Sequence, residues 1–125
     1  MTDSRNSVGW FEIPAADIER AKVFYEQIFG FEMQRHEMNG LQMAWFPFSH
    51  EGPGATGTLI QAEPYIPSHE GTMVYFSVED IEAVLKKVEE NGGQVLNPKM
   101  SIGEYGFVAH FEDSEGNRVA LHSRN

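Results

Sequence analysis

A single carboxylate in an otherwise apolar stretch, Glu12 in "GWFEIP", and two histidines near the end of the chain, His110 and His122, are the side chains best suited by type to do chemistry. There is no cysteine. Thiolate nucleophiles, CxxC redox pairs and cysteine-bound metals are therefore excluded, and hydroxyl, imidazole and carboxylate chemistry remains. Neighbours along a strand point to opposite faces, which sorts these residues further. If Phe11 and Ile13 pack under a helix, Trp10 and Glu12 face the other way. The same rule sends Val74, Phe76 and Val78 inward and turns Met73, Tyr75 and Ser77 outward. Val119 and Leu121 inward leave Ala120 and His122 outward, and Phe111 inward turns His110 outward. Laying "TLIQA" over "VALHS" matches Gln61 with His122.

A desolvated Glu12 has a raised pKa and suits general-base work, with His110 as a second catalytic candidate. The plain alternative is a solvated rim charge. Two histidines and a carboxylate also have the donor types of a facial triad, so a divalent metal is the runner-up to the expectation of no cofactor. Gln61 suits either ligand recognition or the capping of backbone groups. Trp10, Trp45, Tyr75, Tyr105 and Phe107 suit the walls of a flat apolar cavity, or else ordinary packing. Of Trp45 and Phe46, one must face inward. No GxSxG elbow, P-loop, GxGxxG or HExxH is present, so hydrolase, nucleotide and zincin readings have no support. Two "SHEG" segments, from Ser49 and Ser68, read as solvated turns.

The elements that position these residues come as a repeat. "WFEIPAADIERAKVFYEQIFGFEM" from Trp10 lies over "MVYFSVEDIEAVLKKVEENGGQVL" from Met73 without a gap, pairing Asp17 with Asp80 and Gly30 with Gly93. Each half opens with a strand and an Asp that caps a helix. Ile18, Ala21, Tyr25 and Ile28 form one helical stripe; Ile81, Val84, Leu85 and Val88 form the other. Gly30 and Gly93 are expected to stop the helices. Three strands follow each helix: 31–38, 41–48 and 57–62 in the first half, with Asn39-Gly40 as a hairpin turn, and 94–96, 106–112 and 118–122 in the second. This predicts an α+β fold of two βαβββ modules, about 8–62 and 72–123, joined by a linker at 63–71 within one domain spanning 1–125.

The 125 residues carry 19 acidic and 9 basic side chains, a formal net charge of −10. Such a balance repels phosphate backbones and anionic lipid, so neither nucleic acid nor a membrane is an expected partner. The opening "MTDSRNSVGWFEIP" has no apolar run of signal-peptide type, and a cytoplasmic location is expected.

The first strand, Asp17-Ile18-Glu19-Arg20, Phe24-Tyr25, Gly30-Phe31 and the closing "FEDSEGNRVALHS" together resemble the vicinal oxygen chelate superfamily of glyoxalases, bleomycin-resistance proteins and extradiol dioxygenases. The resemblance implies a pseudo-twofold, cup-shaped mixed sheet with helices outside and the ligand inside, and a homodimer. It also implies divalent-metal ligands on the first and last strand of each module, which match Trp10, Leu59, Met73 and Ala120 here. None of these is a ligand for a hard ion. The expected function is a metal-independent small-molecule-binding protein, with Trp10, Trp45, Gln61, Met73, Tyr75, Tyr105 and His122 in contact with the ligand. The alternative is a glyoxalase-like lyase or isomerase with Glu12 as base; a third reading is a non-catalytic interaction module. Apart from Arg118 at the rim, no basic residue is expected inside the cup, which favours neutral or cationic ligands.

Overall fold

An acidic cap starts each helix. Asp17 accepts from the Arg20 amide at 3.1 Å ahead of α1 (Ile18–Phe29), and Asp80 accepts from the Ala83 amide at 3.1 Å ahead of α2 (Ile81–Glu90). These bonds satisfy amides that the first helical turn leaves without a partner. The computed structural model describes residues 6–49 and 51–125 and surrounds the helices with eight strands. The first module has β1 (Trp10–Pro14), β2 (Gln34–Met38), β3 (Leu41–Trp45) and β4 (Thr56–Gln61); the second has β5 (Tyr75–Ser77), β6 (Gln94–Ser101), β7 (Phe107–Glu112) and β8 (Arg118–Ser123). His50, in the first "SHEG", lies outside the described residues.

Each module forms its own four-stranded mixed sheet, ordered β1-β4-β3-β2 and β5-β8-β7-β6, with the first and last strands of the module paired in parallel. The βαβββ plan read from the repeat is present twice. Asn39 and Gly40 both adopt positive φ, 51° and 81°, as a tight hairpin turn between β2 and β3 requires. Strand β6 runs five residues beyond the predicted Leu96, to Ser101, because register shifts let it follow β7 past Pro98.

The helix ends differ between the modules. Gly30 closes α1 in the left-handed region at φ 73°. In the second module that conformation belongs to Gly92, at φ 94°, and not to Gly93. Gly93 is required for closeness: a Cβ there would lie 2.6 Å from the Glu112 carbonyl oxygen and 2.9 Å from the Phe24 ring. Its expected helix-stopping role is corrected to one of packing between helix and strand.

The core joins both modules. Ile18, Ala21, Phe24, Tyr25 and Ile28 of α1 are buried with Ile81, Leu85 and Val88 of α2 and with Phe111, Val119 and Leu121 from the second sheet. Phe11, Phe29, Phe46 and Phe76 surround this core as an aromatic cluster in which the Phe29 and Phe76 centroids are 4.9 Å apart.

Polar bonds reinforce the join. The turn between β7 and β8 reaches the start of α1, where Glu115 accepts from the Ala16 and Asp17 amides at 2.9 and 2.8 Å and from the Arg20 guanidinium at 2.8 Å. Asp113, buried at 2% exposure, accepts from the Tyr25 phenol at 2.6 Å and from the Asn117 amide group at 3.0 Å. Burial pushes the Asp113 carboxyl up, against the lowering effect of its donors. Burial, then the Asp113 charge, pushes the Tyr25 phenol well above its ordinary range.

Replacing Tyr25 with Phe removes one donor from a buried carboxylate while keeping the ring. The expected loss is about 1–3 kcal/mol of unfolding free energy at neutral pH, read by urea denaturation. A change below about 0.3 kcal/mol would show that this bond does not hold the modules together.

Candidate functional site

The faces turned away from the helices carry the chemistry. On the second sheet, Tyr75, Ala120 and His110 sit side by side across β5, β8 and β7, and Ser77, His122 and Val108 make the next row. Asn97 on β6 lies beside His110. Tyr75, Ser77, Asn97, Val108, His110 and His122, with Pro98, Met100 and Ile102, line a mainly apolar cavity of about 580 Å³, and Ala120 lies buried beneath its floor. The cavity is ligand-sized, with a few converging polar groups. A second concavity of about 570 Å³, between the helix ends, is walled by Ile28, Phe29, Phe31 and Val84 with Lys87 at its edge. Its polar lining is Ser77, Glu79, Asp80 and Lys87, of which Asp80 is engaged in capping α2, and it holds no histidine, so the sheet cavity is the better site.

Four hydrogen bonds orient the imidazoles. Arg118 directs Nη2 and Nε at His110 Nδ1, at 2.7 and 3.2 Å, and His110 Nε2 lies 3.4 Å from the Tyr75 hydroxyl. His122 Nε2 lies 2.7 Å from the Tyr105 backbone carbonyl, which can only accept, so this nitrogen carries a proton. Burial first, then the Arg118 charge, holds the His110 pKa below its ordinary 6.5.

The other expected site residues are dispersed. Trp10 lies edge-on to Trp45 at 5.7 Å, and Trp45 stacks on His36 at 3.8 Å, all on the first sheet and away from the 580 Å³ cavity. Phe46 takes the inward position beside Trp45. Glu12 is exposed in a separate cleft of about 190 Å³ that Arg118 also edges. There its charge, then its hydrogen bond, raises the Tyr65 phenol. Glu12 and His110 therefore do not share one cavity, and the expected joint acid-base set is not assembled. Met73 precedes β5 and does not line the cavity. Tyr105 contributes its carbonyl; its side chain is 67% exposed and is not part of the wall. Phe107 packs against the core under Lys99.

Gln61 requires a correction. The observed pairing aligns Glu12 with Thr58 and Tyr75 with Ala120, so Thr58, not Leu59, is the counterpart of Ala120. Gln61 then corresponds to Ser123. A one-residue slip reverses every side chain on a strand. Leu59 is fully buried in the core, and Gln61 accepts from the Ile18 amide at 2.7 Å, capping α1 on the opposite side from the expected ligand face.

With Thr58 replacing Leu59, the metal-ligand pattern falls on indole, hydroxyl, thioether and methyl groups. This set does not fit a divalent ion. Among the described residues, no three His, Asp or Glu side chains converge on a point, and the lone pair of His110 Nδ1 is occupied by Arg118. Arg118 is the residue that sequence reasoning underused: its place on β8 was legible as a rim position, but not its contact with His110.

Paired βαβββ modules, each with its own four-stranded mixed sheet, define the fold class. The chain belongs to the Glyoxalase/Bleomycin resistance protein/Dioxygenase superfamily, whose profile matches residues 7–121. It is 34% identical over 122 residues to a glyoxylase-like domain-containing protein of Didymella fabae, covering 94% of this chain and 93% of that one. It is 28% identical over 118 residues to CFP32 of Mycobacterium bovis, covering 93% of this chain but 45% of that protein, so the chain spans about half of that relative. In structure it is similar to a glyoxylase/bleomycin resistance protein/dioxygenase domain from Frankia sp. EAN1pec, with a TM-score of 0.74 at 15% identity over 96% of this chain and 98% of that one. That likeness concerns the fold alone. No helix among the described residues is long and apolar enough to cross a membrane.

Three outcomes follow from this geometry. Gln61→Met should cost about 1 kcal/mol through the lost α1 cap, measured by denaturation, and leave the sheet cavity unaltered. Because the folded His110 pKa is depressed, its contribution to stability is present above the unfolded imidazole value and is lost as pH falls through the folded value. Arg118→Met should raise the His110 midpoint toward the ordinary value in an NMR titration; an unchanged midpoint would assign the shift to burial alone.

Proposed function

We propose that this chain is a small-molecule-binding protein of its superfamily that takes a neutral or cationic, partly aromatic ligand over the second sheet without a divalent ion. The observation that carries the reading is the 580 Å³ cavity, in which Tyr75, His110 and His122 are hydrogen-bonded into place beside Ala120, where a metal would need a donor side chain. A net charge of −10 opposes anionic ligands. The same reading includes a homodimer, which the resemblance to the superfamily implies. A glyoxalase-like lyase or isomerase with Glu12 as base has less support, because Glu12 engages Tyr65 in a different cleft from His110 and His122.

Elemental analysis of untagged protein purified without chelator should find no stoichiometric divalent ion. In NMR spectra, acetophenone should shift Met100, Ile102, Val108 and Ala109 before either tryptophan indole, and Glu12→Gln should leave its affinity within about twofold. About one divalent ion per chain, or probe binding that depends on added manganese, would overturn the reading.

A further inference from the structure

We infer that the cavity is wired for one polarity of hydrogen bond: Arg118, acting through His110, makes the Tyr75 phenol a donor to the ligand, so the site selects an uncharged ligand that offers an acceptor atom and rejects ammonium compounds. The inference rests on the binding reading above and narrows it.

The wiring begins with a group that has no acceptor. A guanidinium can only donate, and Arg118 points two nitrogens at His110 Nδ1, at 2.7 and 3.2 Å. Nδ1 must therefore hold a lone pair, and the proton of the neutral ring sits on Nε2. That proton faces the Tyr75 oxygen at 3.4 Å. Since His110 is the donor in this contact, the phenol cannot return its own proton to the ring and directs it elsewhere. Tyr75 is 48% exposed and lines the cavity, so the proton is available to a ligand there.

The neighbouring charges do not reverse this polarity. Glu112, opposite Arg118 across β7 and β8, is engaged by His69 at 2.7 Å. The residues of the cavity wall include no aspartate or glutamate, and the guanidinium of Arg118 stands behind His110. An ammonium ligand would thus lose hydration, meet the Tyr75 donor with the Arg118 charge behind His110, and gain no counter-charge from the wall. Of the neutral and cationic ligands that the net charge admits, these contacts favour the neutral ones. An acceptor on an apolar frame gains the Tyr75 bond and the Val108, Met100 and Ile102 wall together.

Arg118 is a positioning residue in this scheme, so its test needs a readout that general stability does not move. Long-range ¹H–¹⁵N spectra of the imidazoles should show His110 as a single neutral tautomer protonated on Nε2. Arg118→Met should produce a mixture of tautomers, and Arg118→Lys, which keeps a donor toward Nδ1, should restore the Nε2 form. Acetophenone, isopropylbenzene and 1-phenylethylammonium share one heavy-atom connectivity and differ in polar group. Tyr75→Phe should weaken acetophenone about five- to tenfold and leave isopropylbenzene within about twofold. Arg118→Met should weaken acetophenone by a similar factor.

A His110 ring protonated on Nδ1 in the parent protein would overturn the wiring, whatever binds. Tighter binding of 1-phenylethylammonium than of acetophenone, or equal losses for both neutral probes in Tyr75→Phe, would overturn the selectivity. If neither neutral probe binds, the binding reading itself fails and takes the selectivity with it, while the imidazole spectrum still decides the wiring.

Discussion

The turn from Asp113 to Asn117 is where the two modules become one body. Asp113 Oδ1 accepts from the Glu115 and Asn117 amides, both at 2.9 Å, and its other oxygen takes the Tyr25 phenol and the Asn117 side chain. Asn117 then donates to the Pro14 carbonyl at 2.7 Å, which ties the turn to β1, and accepts from the Ser68 amide at 3.2 Å, which ties it to the linker. Elements from both halves and the segment between them meet in one polar network. A buried carboxylate tolerates this only when fully satisfied, because each missing donor leaves desolvated charge. The placement of α1 against the second sheet, and with it the angle between the outward faces, depends on that satisfaction.

Much of the fold was legible because its signals are periodic. Two Asp caps, two apolar stripes and the gapless repeat located both helices, and Asn39-Gly40 located a hairpin. Gly93 was misjudged because a glycine after a helix has two independent uses, and only the distance to the Glu112 carbonyl tells closeness from backbone conformation. The one-residue error at Leu59 and Gln61 has a different cause. The loop before β4 has no fixed length, so alternation gave the right period with the wrong phase, and a phase error exchanges the two faces.

The site was legible as a list of outward residues but not as an arrangement. Tyr75, His110 and His122 were sorted to the same face by parity, and the structure places all three on one cavity. Trp10, Trp45 and Glu12 obeyed the same parity and belong to the other sheet. Parity along one strand carries no information about which sheet faces which space. Nor does it show that Arg118, two residues before Ala120, folds its guanidinium onto an imidazole of the neighbouring strand.

Equivalent rows in the two sheets explain why the cavity lies over only one of them. In the first module the row runs Glu12, Thr58, Trp45, and the last of these is covered by the His36 ring stacked 3.8 Å away. In the second it runs Tyr75, Ala120, His110, with a methyl group at the centre. Ala120 is fully buried beneath its neighbours, so its small size brings the phenol and the imidazole within reach of each other. A carboxylate at Ala120 would place charge between those rings and draw the His110 proton or the Arg118 guanidinium toward itself. The loss of a metal-type donor at that position and the presence of the Arg118–His110–Tyr75 chain are therefore linked: the second arrangement requires the first.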